Sequence, residues 1–412
     1  MDKRLLIIGS SLNYGSPGHI CESIGLKAMA NGWTVYQAHG LKYSRPSSLK
    51  TYAVCSKLGE FRHTIKSFLF DAHGLSSKKE TKRLIAWIES ISPDVIHLHN
   101  LHGYYLNYQI LFEFLSKYGR PIVWTMHDFW PITGHCAHFD YIGCDKWKTE
   151  CRNCPQSSSY PRSLFIDKSS RNFNAKRNAF TSVNNLTVVT VSDWVKSLYK
   201  ESFLNKYPIQ TIHNGVNTEI FKPTRSKLRS KLGLKDKFVM LGVASPWYPL
   251  KGFNDYLSLS NVLPKDCVII MIGLTRKQIK ELPPNIIGIE RTDSKQELAQ
   301  FYSMADVTLN LSYQETFGMT TIEGMACGTP AIVYNRTASP ELVTPQTGIV
   351  VNAGDIKELL QAIIFIKDKG KNPFTNSCRD TVLTEFNEDN QIRRYVNLYN
   401  KVNNAEDSRE NI

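Results

Sequence analysis

The chain alternates short apolar runs with amphipathic stretches. RLLIIG at 4–9 is four apolar residues closing on glycine, which predicts a buried strand entering the loop GSSLNYGSPGHI. Helical spacing follows through about Met29, then GWTVYQAHG predicts a second strand. Residues 40–75 are mixed. KKETKRLIAWIES at about 78–91 has helical spacing with a basic face, and PDVIHLHN is a strand ending in His97, His99 and Asn100. A helix over about 106–118 leads to RPIVWTMHD, a strand ending at His127. Residues 128–185, rich in Cys, Ser, Tyr and Pro, interrupt the alternation as a long insertion; LTVVTVSDWVKSLY then restores it as strand, Asp/Ser cap and helix.

IQTIHNGVNTEIFKP gives a short strand and an extended connector, His213 to Pro223, with the look of a domain boundary. The pattern then restarts. FVMLGVAS, CVIIMIG, DVTLNLS and PAIVYN are strands, with helices opening at KGFNDYLSLS, QELAQFYSMA, GMTTIEGMA and IKELLQAIIFIKD. Continuous apolar strands separated by helices predict parallel sheets covered on both faces. The fold expected is α/β, two doubly wound Rossmann-like domains facing across a cleft. Residues 1–213 form the first, with the Cys-rich insertion, and 214–385 the second. Residues 386–412 are expected to be a helix returning toward the first domain and then a frayed polar tail, NNAEDSRENI.

In open parallel sheets ligands sit beyond the carboxyl ends of the strands. The residues there are Gly15 to Gly18, His97 to Asn100, and His127 with Asp128 in the first half. In the second they are Ser245 to Lys251 and Glu315 to Thr320. In QETFGMTTIEGMACGTPAIV the strand has ended by about Ser312 and a helix begins near Gly318. The backbone N–H groups of Gly318, Met319 and Thr320 then face a phosphate-sized site at the helix N-terminus. Glu315 precedes the helix and Glu323 lies within it, so one acid suits sugar hydroxyls and the other a ribose diol. The bland alternative makes Glu315 a helix cap and Glu323 a surface residue. Lys251, in PLKGF, follows another strand end and suits a diphosphate; a solvated loop lysine is the alternative. His127 suits a substrate hydroxyl, against a satisfied, partly buried histidine. For His99 and His102 the structural reading is preferred. TASPELV is a candidate second edge of the site.

These elements resemble the retaining nucleotide-sugar glycosyltransferases of family 4, which have the GT-B fold. ETFGMTTIE followed by GMACGTPAIV carries most of the resemblance. HNGVNTEIFKP is similar to the interdomain connector, LKGF to the lysine–glycine element, and WTMHDFWPITGHC to the N-domain histidine strand of colanic-acid, O-antigen and capsule enzymes. The resemblance implies that Glu315 and Phe317 to Thr320 bind the donor, Glu323 its ribose, and Lys251 its phosphates. His127 would lie near the reacting carbon, and Gly15 and Gly18 would approach the diphosphate. It implies a UDP- or GDP-sugar donor, a lipid-linked oligosaccharide acceptor and front-face displacement. The family often has Gly-Arg before the lysine. GVASPWYPLKG has no arginine there, leaving Lys251 with backbone donors, or Arg291, to carry the phosphate charge. No DxD-like motif is present, so transfer is expected to need no cofactor.

The net charge of +13 is uneven. Residues 1–200 hold 25 basic and 14 acidic residues, residues 201–412 hold 25 and 23. A basic first domain suits an anionic membrane face, and the helix at 78–91, with Leu84, Ile85, Trp87 and Ile88, is the candidate contact; an ordinary surface helix is the alternative. No stretch approaches a membrane span, and MDKRLLIIGSS is too short for a signal-peptide core. A cytoplasmic protein, peripheral on the inner membrane, is expected. Cys136, Cys144, Cys151 and Cys154 fall as C-x7-C-x6-C-x2-C, with His135 and His138 as possible substitutes. Structural zinc, free thiols and two disulfides remain open. Two other functions compete: a GT-B nucleotide-sugar epimerase, and a basic zinc protein binding nucleic acid. Asp140, Asp145 and Glu150 beside the cysteines disfavour the latter, so no nucleic-acid partner is expected.

Overall fold

A computed structural model describes residues 3–410. The chain divides into two compact units, Met1–Ile212 with Ile392–Ile412, and His213–Gln391.

The first unit is built on seven parallel strands: β1 (Lys3–Gly9), β2 (Trp33–His39), β3 (Lys50–Ala53), β4 (Val95–Leu98), β5 (Ile122–Met126), β6 (Leu186–Thr190) and β7 (Ile209–Thr211). Their spatial order is β3-β2-β1-β4-β5-β6-β7. Leu5 to Ile8 are all fully buried, because β1 is central, pairing with β2 and β4, and both faces are covered. The closing helix Glu388–Glu410 lays Ile392, Tyr395, Val396 and Tyr399 into the same core as Ile7, Ile24 and Val123.

Four expectations need correction here. The helix over Lys78–Ile91 buries Leu84 and Ile88 completely and stacks Trp87 on Tyr52 at 4.5 Å. Its apolar stripe serves the protein core and is not presented to lipid. Gly15 and Gly18 lie in the first turn of the helix Gly15–Ala30, not in the loop before it; Pro17 is tolerated there because first-turn N–H groups have no intrahelical acceptor. The insertion is shorter than 128–185, since Ser169–Phe180 is a helix whose buried Phe180 packs on Phe112 and Trp124. Its polar composition hides a buried face at 169, 172, 173, 176 and 180. The tail expected to fray from Asn403 is helical as far as Glu410, and residues 411–412 lie outside the described residues.

The second unit has six parallel strands: β8 (Phe238–Val243), β9 (Cys267–Ile272), β10 (Ile286–Ile289), β11 (Val307–Asn310), β12 (Ala331–Tyr334) and β13 (Gly348–Val351). Their order, β10-β9-β8-β11-β12-β13, reverses direction between β8 and β11. That reversal opens a crevice at the strand ends. The connector His213 to Pro223 is a packed part of this unit. Val216 bridges to Asn387, and Arg379 donates to the carbonyls of Thr218 and Phe221. Gln391 accepts from Gly215 N–H at 2.8 Å and donates to Asn214 at 3.2 Å, so the chain leaves the unit after residue 391, not 385.

Candidate active site

The loops after β8 and β11 flank the switch point of the second unit, and several contacts lock them together. Tyr313 N–H donates to the Leu250 carbonyl at 2.9 Å. Gly252 has φ of 71°, and a Cβ there would fall on the Leu311 carbonyl oxygen. Only glycine combines that backbone with that approach. The locking brings Lys251 and Glu315, 64 residues apart, to an Nζ–Oε1 distance of 2.5 Å. Ser312 Oγ donates to the same Glu315 oxygen at 3.0 Å. Burial alone would pull the Lys251 ammonium down, but the Glu315 carboxylate outweighs it and holds the group above its ordinary value. TASPELV packs on the same loop: Thr337 Oγ1 accepts from Glu315 N–H at 2.9 Å.

Gly318 caps the helix Met319–Ala326 with φ of 113°, and no side chain caps that end. Its carbonyl accepts from Thr321 N–H, so Gly318, Met319 and Thr320 supply the first-turn amides. Met319 and Thr320 are half-buried, whereas Phe317 is 2 % exposed and packs on His213 and Phe386. Phe317 therefore positions the loop, and only its backbone is left to meet a ligand. Glu323 is on the same helix and accepts from the Tyr302 hydroxyl at 2.9 Å. Burial raises its carboxyl to about 7, although the Tyr302 bond acts in the opposite direction. Arg291 is exposed beyond β10, while Lys251 is the cation bonded to Glu315.

The first unit gathers histidines at the ends of β4 and β5. His127 is half-buried, its Nε2 shares a hydrogen bond of 2.9 Å with His99 Nδ1, and the rings stack at 5.2 Å. Burial lowers His127 to about 4, with Asp128 opposing, and holds His99 well below its ordinary value. Both imidazoles are neutral at pH 7. His99 has a supporting role that residue type alone left unassigned; its position at a strand end beside β5 was the available signal. His97 is held between Thr125 and Tyr399, and His102 donates to Asp128 at 2.7 Å. Gly15 is exposed and Gly18 is buried against Ser11. Cys136, Cys144, Cys151 and Cys154 line a single cavity, with no disulfide among them.

This arrangement offers a cation, helix-end amides and hydroxyl-accepting carboxylates at one strand-end crevice. That is the chemistry for holding an anionic, hydroxyl-rich ligand. The chain is similar to known proteins in sequence and in fold. Residues 56–220 match the family model Glycosyltransferase Family 4, and residues 224–379 match Glycosyl transferases group 1. A colanic acid biosynthesis glycosyl transferase of Escherichia coli K12, WcaC, is 24% identical over 74% of this chain and 76% of its own. A D-inositol 3-phosphate glycosyltransferase of Mycobacterium sp. strain KMS is 27% identical over 39% of this chain and 40% of its own. Sucrose-phosphate synthase from Thermosynechococcus elongatus has a TM-score of 0.71 at 17% identity, covering 98% of this chain and 100% of that one. Anabaena HepE in complex with UDP-glucose has a TM-score of 0.65 at 16% identity, covering 97% and 99%. The fold is GT-B, and the chain belongs to the glycosyltransferases, with a family 4 domain ahead of a group 1 domain.

Proposed function

We propose that the protein is a retaining hexosyltransferase. It moves a hexose from a nucleotide-diphosphate sugar to a lipid-linked oligosaccharide in bacterial surface-polysaccharide synthesis. The observation that carries this reading is the Lys251–Glu315 pair beside the uncapped helix start at Gly318. A donor diphosphate takes Lys251 from Glu315 and receives the amides of Gly318, Met319 and Thr320. The freed Glu315 carboxylate accepts from sugar hydroxyls, and Glu323 accepts from the ribose. As the bond from C1 to the phosphate oxygen breaks, the acceptor hydroxyl attacks C1 from the same face. Its proton passes to the departing phosphate oxygen. The enzyme's work is positioning and charge stabilisation, with Lys251 and the amides supporting the leaving diphosphate without a metal cofactor. In the first unit His127, neutral at pH 7 and held by its bond to His99, is a hydrogen-bonding group for a substrate hydroxyl.

Among the described residues, no helix is long and apolar enough to cross a membrane. Lipid-linked acceptors still call for a membrane-facing surface, and the helix Lys57–Phe70 suits one. Leu58, Phe61 and Ile65 are 56%, 62% and 41% exposed on it, beside exposed Arg62 and Lys66. Apolar residues flanked by cations favour an anionic lipid interface.

The test is release of nucleoside diphosphate from a panel of UDP-, GDP- and ADP-sugars with lipid-linked oligosaccharide extract. UDP-glucose comes first, because it is the ligand in the similar HepE structure. Release with one donor, reduced at least a hundredfold in Glu315→Ala, is expected. NMR of the product should show the donor's anomeric configuration. Inversion would refute the retaining reading, and failure to bind any nucleotide sugar would refute the donor site. Epimerised donor formed without acceptor would replace transfer with isomerisation.

A further inference from the structure

The segment between β5 and the helix Ser169–Phe180 holds chemistry that sugar transfer leaves unused. Its regular structure consists of three short 3-10 turns, Trp130–Ile132, Asp140–Ile142 and Lys146–Lys148. A stretch of this length with so little backbone pairing needs another source of order. Cys136, Cys144, Cys151 and Cys154 come from four points along it and line one cavity with His135. The thiols are close enough for Cys136 to feel each of the other three. Asn153 turns the Cys151–Cys154 pair through φ of 48°, and Asp167 accepts from Cys154 N–H at 2.6 Å, holding the knuckle in place.

A second observation points into the same cavity. His135 is 2% exposed, and its Nδ1 lies 2.6 Å from Asp71 Oδ1. Asp71 is fixed in turn by the Lys168 N–H at 2.8 Å. His135 Nε2 is buried and has no hydrogen-bond partner. An imidazolium paired with a carboxylate, its other N–H buried and partnerless beside thiols, needs an acceptor there, and a thiolate supplies it. Catalysis at Lys251 and Glu315 makes no use of it.

We propose that Cys136, Cys144, Cys151 and Cys154 bind one zinc ion as a structural tetrathiolate site, with His135 donating from Nε2 to a ligating sulfur. Among the described residues, no three of these ligand atoms lie within 4.8 Å of one another. A tetrahedral shell with Zn–S of about 2.3 Å sets the sulfurs about 3.8 Å apart. The ion therefore draws inward a loop whose thiols are already gathered, releasing their protons as it binds.

The experiment is metal analysis of the full-length protein, purified without chelator or metal-affinity resin and equilibrated with zinc chloride. About one zinc per chain is expected. Cobalt substitution should give the strong near-ultraviolet thiolate-to-metal bands of four sulfur ligands. Cys144→Ser and Cys151→Ser should each retain less than a tenth of the zinc, while His135→Gln keeps full stoichiometry. A wild-type chain that stays metal-free after equilibration overturns the proposal, as does a disulfide among the four cysteines found by mass spectrometry. So does a cobalt spectrum showing nitrogen ligation that His135→Gln abolishes. These readings require neither donor nor acceptor, so they stand apart from the transfer assay.

Discussion

Replacing Glu323 by glutamine should stabilise the second unit in a pH-dependent way. The carboxyl is held at about 7 against an ordinary 4.5, chiefly by burial. A raised carboxyl binds more protons in the folded state than in the unfolded one between those two values, so stability falls as pH rises through that window. Each factor of ten is worth about 1.4 kcal/mol, so the ionised group costs the folded unit about 3 kcal/mol at pH 8 and less than about 1 kcal/mol at pH 5. Glutamine removes the charge and keeps an oxygen for the Tyr302 hydroxyl, which donates at 2.9 Å. For a unit of this size 1 kcal/mol shifts the midpoint by roughly 2–4 °C. Differential scanning calorimetry should therefore show a gain of roughly 6–12 °C at pH 8 that shrinks to a few degrees at pH 5. A gain independent of pH would refute the argument, because packing and not ionisation would be its source. A loss at pH 8 would mean that the charge is compensated by partners other than Tyr302. The same variant should bind nucleotide sugar more weakly if Glu323 meets the ribose, separating the two roles of one carboxyl.

Lys251→Met should weaken donor binding about 10- to 100-fold by equilibrium dialysis, the effect of losing one charge-assisted contact to phosphate. Combined with Glu315→Gln, it should show a coupling of about 1 kcal/mol in the thermal stability of the unliganded protein, since the pair is only partly buried. The first unit should lose stability in acid. His63 and His97 are held at about 3 and His127 at about 4 by burial, all below the ordinary 6.5. Such groups contribute their full stability above pH 6.5 and lose about 2 kcal/mol each by pH 5, measurable as the urea midpoint against pH. Gly252→Ala should cost the second unit more than about 2 kcal/mol in urea unfolding, because the new methyl meets the Leu311 carbonyl at a positive φ.

What was legible in the chain divides along physical lines. Strands such as Leu5–Ile8 and Val268–Ile272 are apolar throughout because both sheet faces are covered, and a run of that kind is visible without a structure. The short strands β10, IIGI, and β13, GIVV, leave no signal in the chain, because four residues that include a glycine look no different from a loop. The amphipathic stripe at Lys78–Ile91 was plain, but a stripe does not say what it faces. Leu84 and Ile88 face the core, and the exposed stripe belongs to Lys57–Phe70, within a stretch that had no clear pattern. Glu315 and Lys251 could each be placed at a strand end. Their bond depends on the closeness of Gly252 to Leu311, which is a property of packed loops and leaves no periodic trace. The support of His127 by His99 required knowing that β4 and β5 are neighbours.

The closing helix has a consequence for how the protein is made. Tyr399 bonds His97 Nδ1 at 2.6 Å and Tyr395 meets Thr125 at 3.0 Å, so the first unit is finished by residues that follow the second unit in the chain. A ribosome emits about 5–20 residues per second, so His213–Gln391 occupies roughly 10–35 s of synthesis. Through that interval the first sheet has left the exit tunnel with the hydroxyl for His97 still untranslated. Premature termination anywhere in the second unit leaves the first one open as well. Translation of the segment from Ile392 onward, and not the emergence of the first sheet, marks the completion of the first unit.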